Sequence, residues 1–442
     1  MTAALELLEA ESLAFIRDLI RIESVNTGVA ETIGDGETRA ARFVADRLAE
    51  VGLEPELVES KPGRGSVVAR LAGSDPSRGA LVVHAHLDVV PVEGQEWTTP
   101  PFGAEIHDGW LYGRGAVDMK NFAGTILAIA RHFRREGIVP ERDLIFAFFA
   151  DEEAGGVWGA RWLVENRPEL FAGATEAISE VGGFSVPIEG DRRAYLVATG
   201  EKGVAWATLT TRGRPGHGSR PTADNSVVRL GRAVAAVGDH RFPIVRSRSL
   251  EGFLDRFGRE RGVDLTDLDD DELDARVAEL GVVAPLIGSG LRQTISPTVL
   301  SAGSKTNVIP AEASAALDVR MIPGSEGEIS AALQGIVGDD VAVDWVSWIP
   351  PIESPADSPL LDVLADAIGA EDPDGVVVPY LLPASTDNKH LARLGIAGYG
   401  FVPLRVPQGF DVFAQFHTSD ERIPVDALAF SARVTERILR RA

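Results

Sequence analysis

The chain has 442 residues, 45% of them hydrophobic and 25% charged, the balance of a globular protein too long for one ordinary core, so two domains are expected. A formal net charge of −23 removes the basic footprint that nucleic acid or an anionic membrane surface requires, though a bound pair of dications would reverse that sign locally. The absence of cysteine excludes thiolate zinc sites, cysteine nucleophiles and disulfides, and leaves His, Asp and Glu as the protein ligands for any metal.

Residues Met1 to Ile22 are acidic and amphipathic, with no basic start or small-residue cleavage site, and predict a helix of the mature protein rather than a signal peptide. No apolar run approaches a membrane span, and a cytoplasmic location is expected. Helical spacing follows over Arg39 to Val51, then strand-like runs over Ser66 to Leu71 and Ala80 to His84. A helix over Asn121 to Glu136, a buried strand over Leu144 to Ala150 and a helix over Val157 to Asn166 continue the alternation. That alternation predicts an α/β domain with a mostly parallel sheet, residues 1–198 forming its first part and 351–442 its second. The second part reads as a helix over Leu360 to Ile368, a strand over Val376 to Val378 and a closing helix over Val425 to Arg440.

Between them, 199–350 changes style. Gly203 to Arg212 alternates as a half-exposed strand, Asn225 to Val237 is an amphipathic helix, and Thr298 to Ala302 and Ala313 to Met321 are strands. A helix over Glu326 to Val337 and a strand over Val341 to Trp348 complete a β-α-β-β-α-β order, that of an inserted α+β ferredoxin-like domain. Residues of about 240–296 are an extra segment within it. Its acidic stretch, Asp267 to Glu272, lacks the glycine and spacing of a calcium loop and reads as a solvated helix start.

Polar tips on apolar runs carry the chemistry. Ala80 to Ala85 leads into His86-Leu87-Asp88, Gly113 to Val117 into Asp118, Leu144 to Ala150 into Asp151-Glu152-Glu153, and Ala177-Ile178-Ser179 into Glu180. Ligands of open α/β sheets sit beyond the strands' carboxyl ends, and acids and imidazoles gathered there repel or neutralise one another unless a cation intervenes. A pair of metal ions is the simplest such cation. Taken singly, each tip is more often a structural residue: a satisfied buried histidine, or a solvated acidic turn. The Gly113 to Asp118 turn fails as a phosphate loop, because an acid stands where the third small residue is needed. His417, near the end, offers a second imidazole.

Several motifs in order make the sequence recognisable. They are His86-Leu87-Asp88-Val89-Val90-Pro91, Leu111-Tyr112-Gly113-Arg114-Gly115, Asp118-Met119-Lys120, Asp151-Glu152-Glu153 and Gly216-His217-Gly218-Ser219. Thr306-Asn307-Val308-Ile309-Pro310, Asp318-Val319-Arg320 and His417 with Asp420-Glu421-Arg422 continue the series. The chain resembles, over nearly its whole length, the dinuclear zinc hydrolases that include carboxypeptidase G, carboxypeptidase S, aminoacylase, acetylornithine deacetylase and succinyl-diaminopimelate desuccinylase. The resemblance implies two Zn2+ per chain, with Co2+ or Mn2+ as substitutes. Asp118 would bridge them, His86 and Glu180 would complete one site, and Glu153 and His417 the other. Asp88 would hold His86, Glu152 would act as general base, and a non-proline cis peptide would follow Asp118.

By the same resemblance the inserted domain is a lid that also dimerises the family's members. His217 would stabilise the oxyanion, Arg320 and Asn307 would anchor a substrate carboxylate, and Thr386 in the Ser385-Thr386-Asp387 turn would line the pocket. The implied activity is hydrolysis of an amide next to a free carboxylate, in a small peptide or an N-acyl amino acid, with no nucleic acid or membrane partner. Peptidase and deacylase both remain open, and an inert binding relative is the third reading, disfavoured by the presence of Glu152 and all the ligands. The chain departs from the family at Ser179-Glu180-Val181-Gly182-Gly183, where Asn-Glu-Gly-Gly is common, at Pro383 to Thr386, at Thr418-Ser419 and in the 240–296 segment.

Overall fold

The computed structural model describes residues 3–442. Its largest sheet is built around the strand Ala80–His86, buried at all seven positions because both faces are covered. That strand runs parallel to Leu144–Phe149 on one side and to Ala174–Ser179 on the other. The sheet continues outward through Arg64–Leu71 and Glu56–Lys61 at one edge, and through Ala397–Gly400 and Arg193–Glu201 at the other. Strand periodicity divides its side chains between two cores. Leu81, Val83 and Ala85 pack with Ile16, Leu19, Phe122 and Ile126 of the helices Ala3–Arg21 and Lys120–Glu136. Val82, Ile145, Ala147 and Phe149 pack on the other face with Leu163 and Val164 of the helix Ala160–Asn166. Three parallel strands therefore deliver their carboxyl ends side by side. His86 is the last residue of one strand, Asp151 follows the second by two residues, and Glu180 follows the third directly.

A second sheet holds the strands Thr294–Ala302, Glu312–Met321, Gly203–Arg212 and Ala342–Ile349, in that spatial order and all antiparallel. The helices Ser226–Asp239 and Ile329–Val337 cover one face, burying Leu230, Ala233 and Leu333 against Ala205, Ala207 and Leu209. Order and pairing are those of the ferredoxin-like lid expected from the sequence.

The extra segment forms the helices Arg248–Arg261, Asp270–Ala278 and Ala284–Gly290. Although they lie within the lid in sequence, these helices do not join the lid core, to which the segment's two ends contribute Phe242 and Ile295. Phe253, Leu254, Phe257, Leu273 and Leu286 pack into the larger core with Tyr380 and Leu382 of the strand Gly375–Leu382. The acidic stretch is a helix start: Asp269 accepts from the Glu272 amide at 2.9 Å while Glu272 reaches back to the Asp269 amide, a reciprocal cap. Among the described residues, no helix is long and apolar enough to cross a membrane.

The loop that carries Asp118 is held by a residue more than three hundred positions away. Fully buried Glu421 accepts from the amides of Gly115 (3.2 Å), Val117 (2.7 Å) and Asp118 (3.0 Å), and pairs with the Arg114 guanidinium at 2.7 Å. One carboxylate thus satisfies three buried donors and a buried cation, which fixes the course of the chain into the Asp118–Met119 cis peptide. Glu421→Ala leaves three buried amides without their acceptor and Arg114 without its counter-charge, and is expected to lower the unfolding free energy by about 3–5 kcal/mol in urea titration. A loss within experimental error of zero would contradict this role.

Candidate metal centre

Two groups of side chains meet at the carboxyl ends of the parallel strands. His86, Asp118 and Glu180 form one, Asp118, Glu153 and His417 the other, and within each the ligand atoms lie within 4.8 Å of one another. Asp118 belongs to both. Its Oδ1 is 3.0 Å from His86 Nε2 and its Oδ2 3.2 Å from His417 Nε2. Glu180 stands 3.5 Å from His86 Nε2, and Glu153 3.3 Å from His417 Nε2. A carboxylate presenting one oxygen to each of two groups has the geometry of a bridging ligand.

Local backbone conformation aims these groups. Asp151 leaves its strand with φ +68°, a left-handed conformation that Asp tolerates better than most residues, and the reversal turns Glu152 and Glu153 into the site. Buried Asp151 is held there by Arg64, by the Trp158 amide (2.9 Å) and by Asn26 (3.2 Å). Asp88 clamps the same turn, accepting from the amides of Glu152 (3.1 Å) and Glu153 (3.0 Å) and from Asn26 Nδ2 (2.8 Å). Asp88 was expected to hold His86: His86 Nδ1 donates to the Asp88 main-chain carbonyl at 3.0 Å, and the Asp88 carboxylate stands 3.6 Å from the same nitrogen while also accepting from the acidic turn. Beyond Glu180, Val181 adopts φ +55°, a conformation a β-branched residue rarely takes. Gly183, at φ +76°, lies where a Cβ would meet the Val402 backbone at 2.4 Å.

The electrostatics call for a cation. Burial, reinforced by neighbouring carboxylates, pushes the Glu153 and Glu180 carboxyls up to about 8. The Asp118 and Glu153 carboxylates draw His417 up to about 10. Glu153 keeps a buried Oε1 with no hydrogen-bond partner. Acids held partly protonated, imidazoles held charged and one orphaned oxygen describe a donor set suited to divalent cations. The oxygen and nitrogen donors, with no sulfur, fit zinc and its neighbours cobalt and manganese.

Glu152 lies beside this cluster and in neither group. It is 3.5 Å from Lys389 Nζ, both side chains being nearly inaccessible to solvent. Burial raises its carboxyl, and the Lys389 ammonium pulls the other way. Lys389 went unread in the sequence. The signal available was its place two residues after Asp387, a lone cation in a turn otherwise facing acids. Thr386 was expected to line the pocket, but it is buried and its hydroxyl donates to Glu201 at 2.6 Å, with its amide bound to the same carboxylate at 2.8 Å. Its role is to brace the turn that carries Lys389.

The lid residues fall into a separate set. His217 and Asn307 are brought together by a short ribbon in which Gly216–His217 pairs with Val308–Ile309, and the Gly218 amide donates to Asn307 O at 2.8 Å. The exposed His217 ring bonds Ser219 Oγ at 2.8 Å. Arg320 turns its guanidinium fork onto Asp318, at 2.7 and 3.0 Å. Among the described residues, no hydrogen bond or ion pair joins these three to the metal-ligand groups.

Comparison with known proteins accords with this geometry. Residues 82–441 match the description "Peptidase family M20/M25/M40". The chain belongs to that family. It is 28% identical over 393 residues to aminoacylase-1 of Homo sapiens, covering 87% of this chain and 85% of that one. A probable carboxypeptidase S-like 2 of Dictyostelium discoideum is 30% identical over 377 residues, 81% and 71% of the two chains. Among solved structures, the M20 family metallo-carboxypeptidase Sso-CP2 of Sulfolobus solfataricus superimposes with a TM-score of 0.71 at 19% identity, over 97% of this chain and 98% of that chain. The family membership makes this chain a hydrolase and matches the resemblance read from its motifs.

The raised carboxyls and His417 hold protons at neutral pH that a metal must displace. Zinc binding to the metal-free protein is therefore expected to release protons and to tighten as pH rises from about 6 to 8. Calorimetry in buffers of different ionisation enthalpy measures both; binding with no proton release and no pH dependence would contradict the assignment.

Proposed function

We propose that the protein is a zinc-dependent amidohydrolase that cleaves an amide next to a free carboxylate, in N-acyl amino acids or small peptides. The observation that carries this reading is part-buried Glu152 set beside two ligand groups that share Asp118. In this reading His86 and Glu180 hold one ion, Glu153 and His417 the other, and Asp118 both. The metal pair, when bound, supplies the positive charge that polarises a scissile carbonyl and makes water nucleophilic at neutral pH. Glu152 takes the proton from the attacking water and delivers it to the leaving nitrogen. Its raised affinity for a proton suits both halves of that transfer, and Lys389 keeps the carboxylate form available between them.

The lid supplies the remaining contacts. His217 donates to the developing oxyanion, and its exposed glycine-flanked ribbon leaves it free to reach a substrate when the lid closes. Arg320 and Asn307 receive the substrate carboxylate; Arg320 exchanges Asp318 for it, a like-for-like swap of one bidentate partner for another. The strand Thr294–Ala302, at the edge of the lid sheet with Val299 and Leu300 exposed, supports a homodimer formed through the lid. The names of the relatives, an aminoacylase and a carboxypeptidase, support the same substrate classes.

Glu152→Gln keeps the ligands and removes the proton acceptor. It is expected to retain its metal content by elemental analysis while losing about a hundredfold or more in kcat. Turnover unchanged in this variant would remove Glu152 as the base. On the unmodified enzyme, N-acyl amino acids and dipeptides are to be compared with analogues whose carboxylate is amidated. Equal rates on the two sets would overturn the Arg320 and Asn307 assignment.

A further inference from the structure

The five proposed ligands differ in how their segments are held. Glu153 stands in the acidic turn that Asp88 clamps, and Asp118 in the loop that Glu421 clamps. His86 and Glu180 sit at strand ends in the interior, their side chains 1% and 8% exposed. His417 is the exception. Its side chain is 55% exposed, and it lies in the irregular stretch between the short helix Phe413–Gln415 and the strand Arg422–Pro424. Its backbone adopts φ +61°, a left-handed conformation that a residue with a Cβ takes at a cost and keeps only where its surroundings enforce it.

A loop 322 positions earlier supplies the hold. Gln95 Nε2 donates to the His417 carbonyl at 2.8 Å, and the Thr98 amide donates to the Asp420 carboxylate at 2.8 Å. Asp420 is itself left-handed, at φ +54°. Gln95 is held in turn. Its Oε1 accepts from Arg114 at 2.8 Å, and a guanidinium only donates, so this contact fixes which end of the Gln95 amide points at His417. Arg114 is buried, lies over the Trp97 ring at 5.1 Å and pairs at 2.7 Å with Glu421, the carboxylate that also holds the Asp118 amide. One hydrogen-bonded chain therefore runs from the Asp118 loop through Glu421, Arg114 and Gln95 to the His417 main chain. It ends on two of the three ligands of one proposed metal position. Among the described residues, none of its hydrogen bonds reaches His86 or Glu180.

We propose that Gln95 is a positioning residue for the metal position formed by Asp118, Glu153 and His417. By holding the His417 main chain it sets how tightly that position binds its ion, and it leaves the position of His86 and Glu180 unaffected. The proposal rests on the metal-pair reading above and goes beyond it by naming a residue that is not itself a ligand. Binding a metal has to fix the ring it uses, so a ring already fixed binds more tightly. Loss of an outer hydrogen bond of this kind typically weakens binding by about 10–100-fold.

Two substitutions of similar length test the role. Gln95→Met removes both hydrogen bonds of the side chain. Gln95→Glu keeps an acceptor for Arg114 and removes the donor to His417. Zinc titrated calorimetrically into the metal-free protein is expected to bind at two positions in the unmodified chain. In both variants one position is expected to bind about tenfold or more weakly and the other as before. Crystals of the Gln95→Met protein given one zinc per chain are expected to show it, by anomalous diffraction, between His86, Asp118 and Glu180. Because the two positions are compared within one protein, a partly misfolded sample lowers the number of sites without changing their ratio. Unchanged affinities in Gln95→Met overturn the proposal. Equal weakening at both positions, the result of a general loosening of the fold, does so too, as does a loss confined to the His86 position. A Gln95→Glu protein that binds like the unmodified one assigns the effect to the Arg114 contact and overturns it as well. Fewer than two ions on the unmodified protein would remove the metal pair and this proposal together, whereas two ions there and normal binding by the variants remove Gln95 alone.

Discussion

The convergence of five ionisable side chains at the carboxyl ends of buried strands is the constraint around which the rest of this protein is arranged. His86, Asp118, Glu153, Glu180 and His417 sit within a few ångströms of one another, four of them in a largely desolvated setting. Burial without a counter-charge drives the two glutamates toward their neutral forms and leaves Asp118 ionised only because two imidazoles face it. A fold that assembles such a cluster has to make the assembled state favourable, and divalent cations do so by satisfying every donor at once.

The surrounding structure then reads as a set of devices that hold these groups in place against their mutual repulsion. Asp88 anchors the amides of the acidic turn, Arg64 with Asn26 anchors Asp151, and Glu421 with Arg114 anchors the loop that delivers Asp118. Each is a buried charged group with several partners, the arrangement that makes a buried charge tolerable. The same logic separates Glu152 from its neighbours. It shares their setting but faces Lys389 and belongs to neither ligand group, which is why the proton-carrying role is proposed for it.

Much of this was legible from the order of residues. Continuous apolar runs gave the parallel strands, and a polar residue directly after each run marked His86, Asp151 to Glu153 and Glu180 as strand tips, which is where the fold puts them. The β-α-β-β-α-β order likewise identified the lid. What stayed hidden depends on contacts between distant segments. Glu421 stood in a recognised motif, yet nothing local shows that it closes a loop three hundred residues earlier. The amphipathic pattern of 248–290 says which side is buried but not which sheet buries it, so the segment's attachment to the larger core was not deducible. At Asp88 the spacing from His86 fits either a side-chain or a main-chain contact, and the structure has the main-chain carbonyl at 3.0 Å and the carboxylate at 3.6 Å from the same nitrogen. Thr386 sat beside acids in sequence, but a hydroxyl's partner across 185 residues, Glu201, cannot be read from its neighbours.

The result divides labour between two parts of the chain. Strand ends hold the side chains of the candidate metal centre, and the proposed substrate contacts come from the lid. The central claim is that the cluster holds two metal ions sharing Asp118. It is tested most directly by saturating the purified protein with zinc, counting the bound metal by elemental analysis and locating it by anomalous diffraction. The account predicts about two ions per chain, one between His86, Asp118 and Glu180 and one between Asp118, Glu153 and His417. A single ion per chain, none, or a pair bound away from Asp118 would contradict it.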